Sequence, residues 1–353
     1  MIRPRQLLTA AAVAAAAALA LSGCGTTSVD AAASSGPAAP TSAGCEADTT
    51  TTATGPVSIT DGVGRTVELD APAKRVVVLE WQQIEDALTL CVTPTAVADP
   101  EGYGTWVKAE KLPASVTSAG TREEPDLDAI AATNPDLVIV EAFSADDEKI
   151  TKLEKRGIPV LATLGADTSD PIGNMKKVFT TIAEATGRTD RADEVLDQFD
   201  DHLAAAKQQV QDVDLPTKRF LFFDGWIEGG NVVIRPYGKG ALFTALGEEL
   251  GLTSAWTDEI DEAYGNGGVD PAYGLGQTDI EGLTAVGDAN LFYSNDEEEG
   301  SYVVELDKSS IWKALPAVED GRAHAFPAGT WGAGGPLSNE MAIDAYVDAI
   351  TAA

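Results

Sequence analysis

The sequence is short of the residues that most site chemistry needs. It has two histidines and three cysteines in 353 residues, whereas transition-metal sites are usually built from several His together with carboxylates. It contains no G-x-S-x-G, no Walker loop, no H-E-x-x-H and no C-x-x-C. Hydrolase, NTPase, zincin and dithiol chemistries therefore have no motif to stand on, and no enzyme is expected. Basic residues are also scarce: 24 Lys and Arg face 56 Asp and Glu, a formal charge of -32. Phosphate backbones are gripped by clustered Lys and Arg, so nucleic acid is excluded as a partner. Electrostatic adsorption to an anionic bilayer is excluded for the same reason. A repelling exterior of this kind suits a soluble monomer, while saying nothing of the field inside a cleft.

Long apolar runs are missing except at the start. Arg3 and Arg5 precede an apolar stretch over 7–20, too short for a comfortable transmembrane helix, and residues 1–23 read as an export signal. Leu21-Ser22-Gly23-Cys24 resembles the lipobox of bacterial lipoproteins. The resemblance implies cleavage before Cys24 and its acylation, palmitate included, on the outer face of the cytoplasmic membrane. Stable anchoring takes more than one acyl chain. A plain signal peptide with an incidental cysteine is the alternative. Residues 24–55, rich in Ala, Ser, Thr, Gly and Pro, cannot bury a core and read as a flexible tether. Cys45 and Cys91 remain. In an exported chain they can form a disulfide tying the tail to the first lobe, or Cys91 can be a small buried hydrophobe.

What is present is an α/β rhythm. A hairpin pattern, VSIT-DGVG-RTVEL, turns at Asp61-Gly62. Strands are expected over 75–79, 136–140 and 158–161, and helices over 126–132, 146–156 and 171–186. A solid apolar run such as Val76-Val77-Val78 is what a strand covered on both faces shows. After Pro216 the rhythm restarts, with strands over 219–223, 290–293 and 323–326. Helices are expected there over 240–250, 279–286 and 336–351. Between the halves, residues 189–211 carry apolar side chains at Ala192, Val195, Leu196, Phe199, Leu203, Ala206 and Val210, one stripe of a helix about 35 Å long at ~1.5 Å per residue. Thr189 would be its N-cap. It is a strut joining two lobes, or an ordinary long surface helix.

The fold class follows: α/β, two Rossmann-like lobes with central, mostly parallel sheets joined by one long rigid helix. The expected boundaries are 56–188 for the N-terminal lobe, 189–212 for the linking helix and 213–353 for the C-terminal lobe, whose last helix packs back near the linker. The glycines at 265, 267, 268, 274 and 276 fit no dinucleotide turn and read as a mobile surface loop.

Asp61-Gly-Val-Gly-Arg65-Thr-Val-Glu-Leu69 and Pro72-Ala-Lys-Arg-Val-Val-Val-Leu79 resemble the opening of cluster-A, helix-linked substrate-binding proteins of ABC importers. Gly120-Thr-Arg-Glu-Glu-Pro-Asp-Leu-Asp128, Asn134-Pro-Asp-Leu-Val138 and Trp312-Lys-Ala-Leu-Pro-Ala-Val-Glu-Asp-Gly321-Arg322 extend the likeness. Residues Leu79-Glu80-Trp81, Trp106-Val107 and the Arg122 motif are most similar to the ferric hydroxamate-binding branch. The resemblance implies a cleft between lobes that takes a ferric siderophore, iron being held by siderophore oxygens, with no covalent cofactor. It places Arg122 against the chelate rim, which its fork of donors suits; pairing with Glu123 or Glu124 is the alternative. Trp81, Trp106, Trp256 and Trp331 are candidate aromatic walls or core residues. Arg235 and Tyr237 would reach the cleft from the second lobe, or stand in water; Lys239 shares their loop. Where the hydroxamate branch carries a cleft tyrosine, this chain has Phe143-Ser144. So few candidate cations suit a neutral or cationic ferric hydroxamate better than an anionic tris-catecholate. A haem or cobalamin-like ligand is the alternative, with Tyr103, Tyr237, Tyr264 and Tyr273 as possible axial ligands for haem. Asp128, with Glu124 beside it, and Glu281 match the carboxylates by which the resembled family docks on its permease. They can equally be first-turn helix acids.

Overall fold

The computed structural model describes residues 42–295 and 300–352; Cys24, the export signal and the first part of the tether lie outside the described residues. Two five-stranded sheets form the two lobes. The first is wholly parallel, in the spatial order Thr117–Ser118, Ala96–Val97, Val76–Val78, Leu137–Glu141, Val160–Thr163. Its apolar runs are solid because both faces are covered. Val76, Val78, Leu137, Ile139 and Leu161 pack on one side with Phe179 and Ile182 of the helix Pro171–Thr186. Val77, Val138, Val140, Val160 and Ala162 pack on the other, against Ile130, Ile150 and Leu153. The alternation has the period of two that a pleated strand imposes.

The second sheet runs Thr253–Ser254, Arg219–Glu228, Asn290–Tyr293, Ala323–Ala325 in parallel, with Asn231–Pro236 added antiparallel. Phe220, Phe222 and Phe292 face one core, Leu221, Phe223 and Leu291 the other. The strand from Arg219 is longer than the 219–223 expected. It leaves the sheet and turns through Gly229 and Gly230, at φ 58° and 84°, into a hairpin. Both turn positions need left-handed backbone, which glycine supplies without strain. The hairpin escaped the sequence reading because its outer half mixes exposed Trp226 and Ile227 with Asp224, Glu228 and Asn231, which breaks the apolar run of the strand.

The helix Thr189–Val210 serves both lobes: Ala192 and Val195 belong to the first core, Phe199, Leu203, Ala206 and Val210 to the second. The helix Pro171–Thr186 straddles the same division, with Met175 in the second core and Val178, Phe179 and Ile182 in the first. The last helix, Pro336–Thr351, packs against the linking helix, and its Ala342, Ile343 and Tyr346 join the second core. Its N-cap is Gly335, with no side-chain cap of its own. Glu85 of the first lobe supplies one: Ser338 donates its N–H and hydroxyl to the two carboxyl oxygens at 2.9 and 2.5 Å.

Three expectations need correction. Thr189 is not the N-cap of the linking helix; Arg188 holds that position without a side-chain cap bond. Its buried guanidinium is drawn away by Leu90, Thr50, Thr52 and an ion pair with Asp48. The tether read as 24–55 is therefore not free along its later part. Cys45 and Cys91 form a disulfide, and Ala53 donates its N–H to Gly187 at 2.9 Å. The disulfide is the first of the two readings given for that cysteine pair; the rest of the seam, at Arg188 and Gly187, is polar, whereas the tether reading rested on missing apolar residues. Finally, the segment expected as a helix over 279–286 is a 3-10 turn, Glu281–Val286.

Candidate binding cleft

The first sheet reverses its winding between Val76–Val78 and Leu137–Glu141. Open α/β sheets bind ligands in the crevice outside the carboxyl ends of strands at such a switch point. Glu80 and Glu141 stand there. Facing them are the hairpin of the second lobe, with Trp226 and Arg235, and Tyr237 just beyond it. The two walls enclose a cavity of about 660 Å³, within the range of ligand pockets.

Arg122 is in this wall and pairs with neither Glu123 nor Glu124. Its Nε and Nη2 donate to the two Glu80 oxygens at 2.9 and 2.7 Å. The guanidinium carbon lies 4.2 Å from the Trp81 ring centre and 6.0 Å from that of Trp331. The two indoles meet edge to face at 4.9 Å. Glu80 also accepts the Trp81 N–H at 2.8 Å, capping the helix Trp81–Thr89. One carboxylate thus aims the arginine and starts the helix behind it. That arrangement leaves the Nη1 edge of Arg122 for a ligand.

The opposite wall repeats the device. Arg235 donates through Nε and Nη2 to Asp224 at 2.8 and 2.5 Å, and lies 5.9 Å from the Trp226 ring. The Tyr237 hydroxyl donates to the same carboxylate at 3.1 Å. Gly332 lets this wall close: a Cβ there would collide with the Tyr237 hydroxyl.

The lobes meet across one edge of the cleft. Tyr273 of the second lobe donates its hydroxyl to Glu141 of the first at 2.7 Å, and its ring lies 5.8 Å from that of Phe143. The tyrosine hydroxyl at this edge therefore comes from the other lobe. Burial, with Glu80 nearby, holds the Glu141 carboxyl above its ordinary range.

Among the residues singled out from sequence, Arg122, Arg235, Tyr237 and Trp331 line the cavity. Trp81 stands behind Arg122, 6% exposed. Trp106 does not line the cavity; it packs half-buried on the first core. Trp256 is not in the cleft at all. It is 2% exposed in the second lobe's core and donates its indole N–H to Asp261 at 3.0 Å. Of the tyrosines considered for haem, Tyr103 is buried with its hydroxyl on the Glu110 carbonyl, and Tyr264 lies on the surface. Tyr237 and Tyr273 reach the cavity with both hydroxyls tied to carboxylates. Asp128 is exposed and paired with Arg156 at 2.6 Å. Glu281 is exposed and in no ion pair among the described residues.

The glycine-rich stretch 265–276 is a wall of the cavity, not a loose surface loop. Gly238 donates to Gly274 at 2.8 Å, Gly276 to Pro236 at 2.9 Å and Asn266 to Gln277 at 2.6 Å. Gly274, at φ 70°, has no room for a Cβ against Ala241 and Lys239. Glycine here serves close backbone approach, a purpose that composition alone does not separate from mobility. Glu80, Glu141 and Trp226 were missed, and Tyr273 was considered only as an axial ligand for haem. The available signal for the first two was their place at the carboxyl ends of buried parallel strands.

The chain matches the family model described as periplasmic binding protein over residues 76–262. It is 26% identical over 264 residues to the iron(3+)-hydroxamate-binding protein FhuD of Escherichia coli strain K12, covering 75% of this chain and 82% of that protein. It is 28% identical over 278 residues to the Fe(3+)-citrate-binding protein YfmC of Bacillus subtilis strain 168, covering 77% and 79%. Its fold matches the Fe3+-Desferal-bound siderophore binding protein FhuD from Vibrio cholerae with TM-score 0.65 at 24% identity, covering 79% of this chain and 98% of that one.

Proposed function

The chain belongs to the periplasmic binding protein family, and from that premise we propose that it is an extracytoplasmic receptor. It captures a ferric siderophore of hydroxamate type and delivers it to an ABC permease for iron uptake. The observation that carries this reading is the cleft: two arginines, each held by one carboxylate and backed by indole rings, face each other across the cavity. Guanidinium edges suit the oxygens on a chelate rim, and rigid rings offer apolar area to a bulky ligand at little entropic cost. Iron keeps its siderophore oxygens, and no protein side chain takes their place. Relatives that bind ferric hydroxamate and ferric citrate support a ferric chelate as the ligand class.

The receptor catalyses nothing and is anchored through an acylated Cys24. Asp128 and Glu281 present one carboxylate from each lobe to permease arginines; Asp128 would exchange Arg156 for its partner. Two helices with residues in both cores resist wide hinge opening, so binding moves the lobes little.

Tryptophan fluorescence titration with ferric hydroxamates, catecholates, carboxylates and haem tests the reading. Quenching that saturates with ferric hydroxamates supports it. No response to any ferric chelate would end it.

A further inference from the structure

We propose that the cleft selects ferric chelates bearing a positive charge, an inference that rests on the siderophore reading above. Both arginines that line the cavity are already neutralised. Arg122 is held in a two-point pair by Glu80, and Arg235 by Asp224. Three further lining carboxylates, Glu141, Asp167 and Asp270, enter no ion pair among the described residues. Each makes only neutral bonds. Glu141 accepts the Tyr273 hydroxyl at 2.7 Å. Asp167 accepts the Ser169 N–H and hydroxyl at 2.9 and 2.6 Å. Asp270 accepts the N–H groups of Ala272 and Tyr273 at 2.8 and 3.0 Å. The Ser169 bonds hold the Asp167 carboxyl below its ordinary range, so it stays ionised.

The lining therefore holds three carboxylates beyond the one paired with Arg122, and the lysines nearest to Glu141 and Asp167, Lys149 and Lys177, lie outside it. A ferric tris-hydroxamate core is neutral, since three singly charged hydroxamates balance the iron. The charge that the cleft reads must then lie on a pendant arm. Glu141 comes from the first lobe, and Asp270 from the loop that also carries Tyr273. A pendant ammonium at this edge would gain carboxylate acceptors from both lobes. A pendant carboxylate there would meet like charge, the repulsive half of specificity.

The test uses the unmodified mature protein and three ferric complexes of one chelator: desferrioxamine B with its terminal ammonium, its neutral N-acetyl derivative, and its anionic N-succinyl derivative. Affinity is expected to fall in that order, roughly tenfold or more from first to last. Raising the salt should narrow the gap, because exposed charges are screened. Glu141→Gln combined with Asp270→Asn should shrink the ratio between the cationic and anionic complexes. Equal affinities, or the reverse order, would overturn charge selection and leave the siderophore reading standing. Binding of none of the three, nor of any other ferric chelate, would remove both.

Discussion

The two walls of the cleft use the same part, an arginine held in two-point contact by a carboxylate, but mount it differently. Arg122 lies over Trp81, on a helix whose nine residues are all buried. That helix is tied at its far end by the Cys45–Cys91 disulfide, and Glu85 within it caps the last helix of the chain. Arg235 stands on a hairpin that projects from its sheet, beside a Trp226 that is 36% exposed. The first wall is an anvil set in the core, the second a finger held by its own ladder. Preorganised groups lose less freedom when they bind, so the first wall should carry more of the affinity.

The comparison can be broken at its supports first. Replacing both Cys45 and Cys91 by Ser opens a loop of 46 residues and should lower unfolding stability by about 2–4 kcal/mol in urea titrations. A loss confined to a few tenths would show that the first wall does not need the staple. The second support titrates. Burial pushes the Glu85 carboxyl up to about 7 from 4.5, so the native state holds this proton more tightly than the unfolded chain. Stability is then fully present below the unfolded value and is lost as pH climbs through about 7, by on the order of 3 kcal/mol. Urea unfolding at several pH values should show that decline. Glu85→Gln should flatten it in part, since Asp86, raised by burial and by Glu85, adds a loss of the same sign.

The walls themselves come next. Arg122→Ala should weaken binding of the neutral ferric N-acetyl desferrioxamine B at least tenfold, about 1.4 kcal/mol, because it removes a positioned donor. Arg235→Ala should cost less, roughly threefold, about 0.7 kcal/mol. Equal losses, or a larger one at Arg235, would mean that mounting does not set the share each wall carries.

How much of this could be read from the sequence depended on what each feature rests on. The strands were legible at Val76–Val78 and Asn290–Tyr293 because both faces are covered and every residue must be apolar or nearly so. Arg122, Arg235, Tyr237 and Trp331 were legible through motif likeness and position. The helix Trp81–Thr89 was not singled out, although Trp81, Ile84 and Leu88 stand at helical spacing; what its pattern could not announce is that Gln82, Gln83, Glu85 and Asp86 on its other faces are buried too. Glu80 and Glu141 stand at the carboxyl ends of strands that were expected, but that these two strands adjoin at the switch point is set by strand order, which no local pattern encodes. Trp256 has the size of a cleft aromatic but satisfies its N–H on Asp261 inside the core. Tyr273 arrives on a glycine-rich segment anchored to the second lobe by long-range backbone bonds, Gly238 to Gly274 and Gly276 to Pro236.

The most direct test of the two-walled grip is anomalous scattering at the iron edge from crystals grown with ferric desferrioxamine B. The expected result is one iron peak inside the cavity between Arg122 and Arg235, with only chelator oxygens in its coordination sphere. Iron bound directly by Glu80 or Glu141, or a chelate seated outside the cavity, would contradict it.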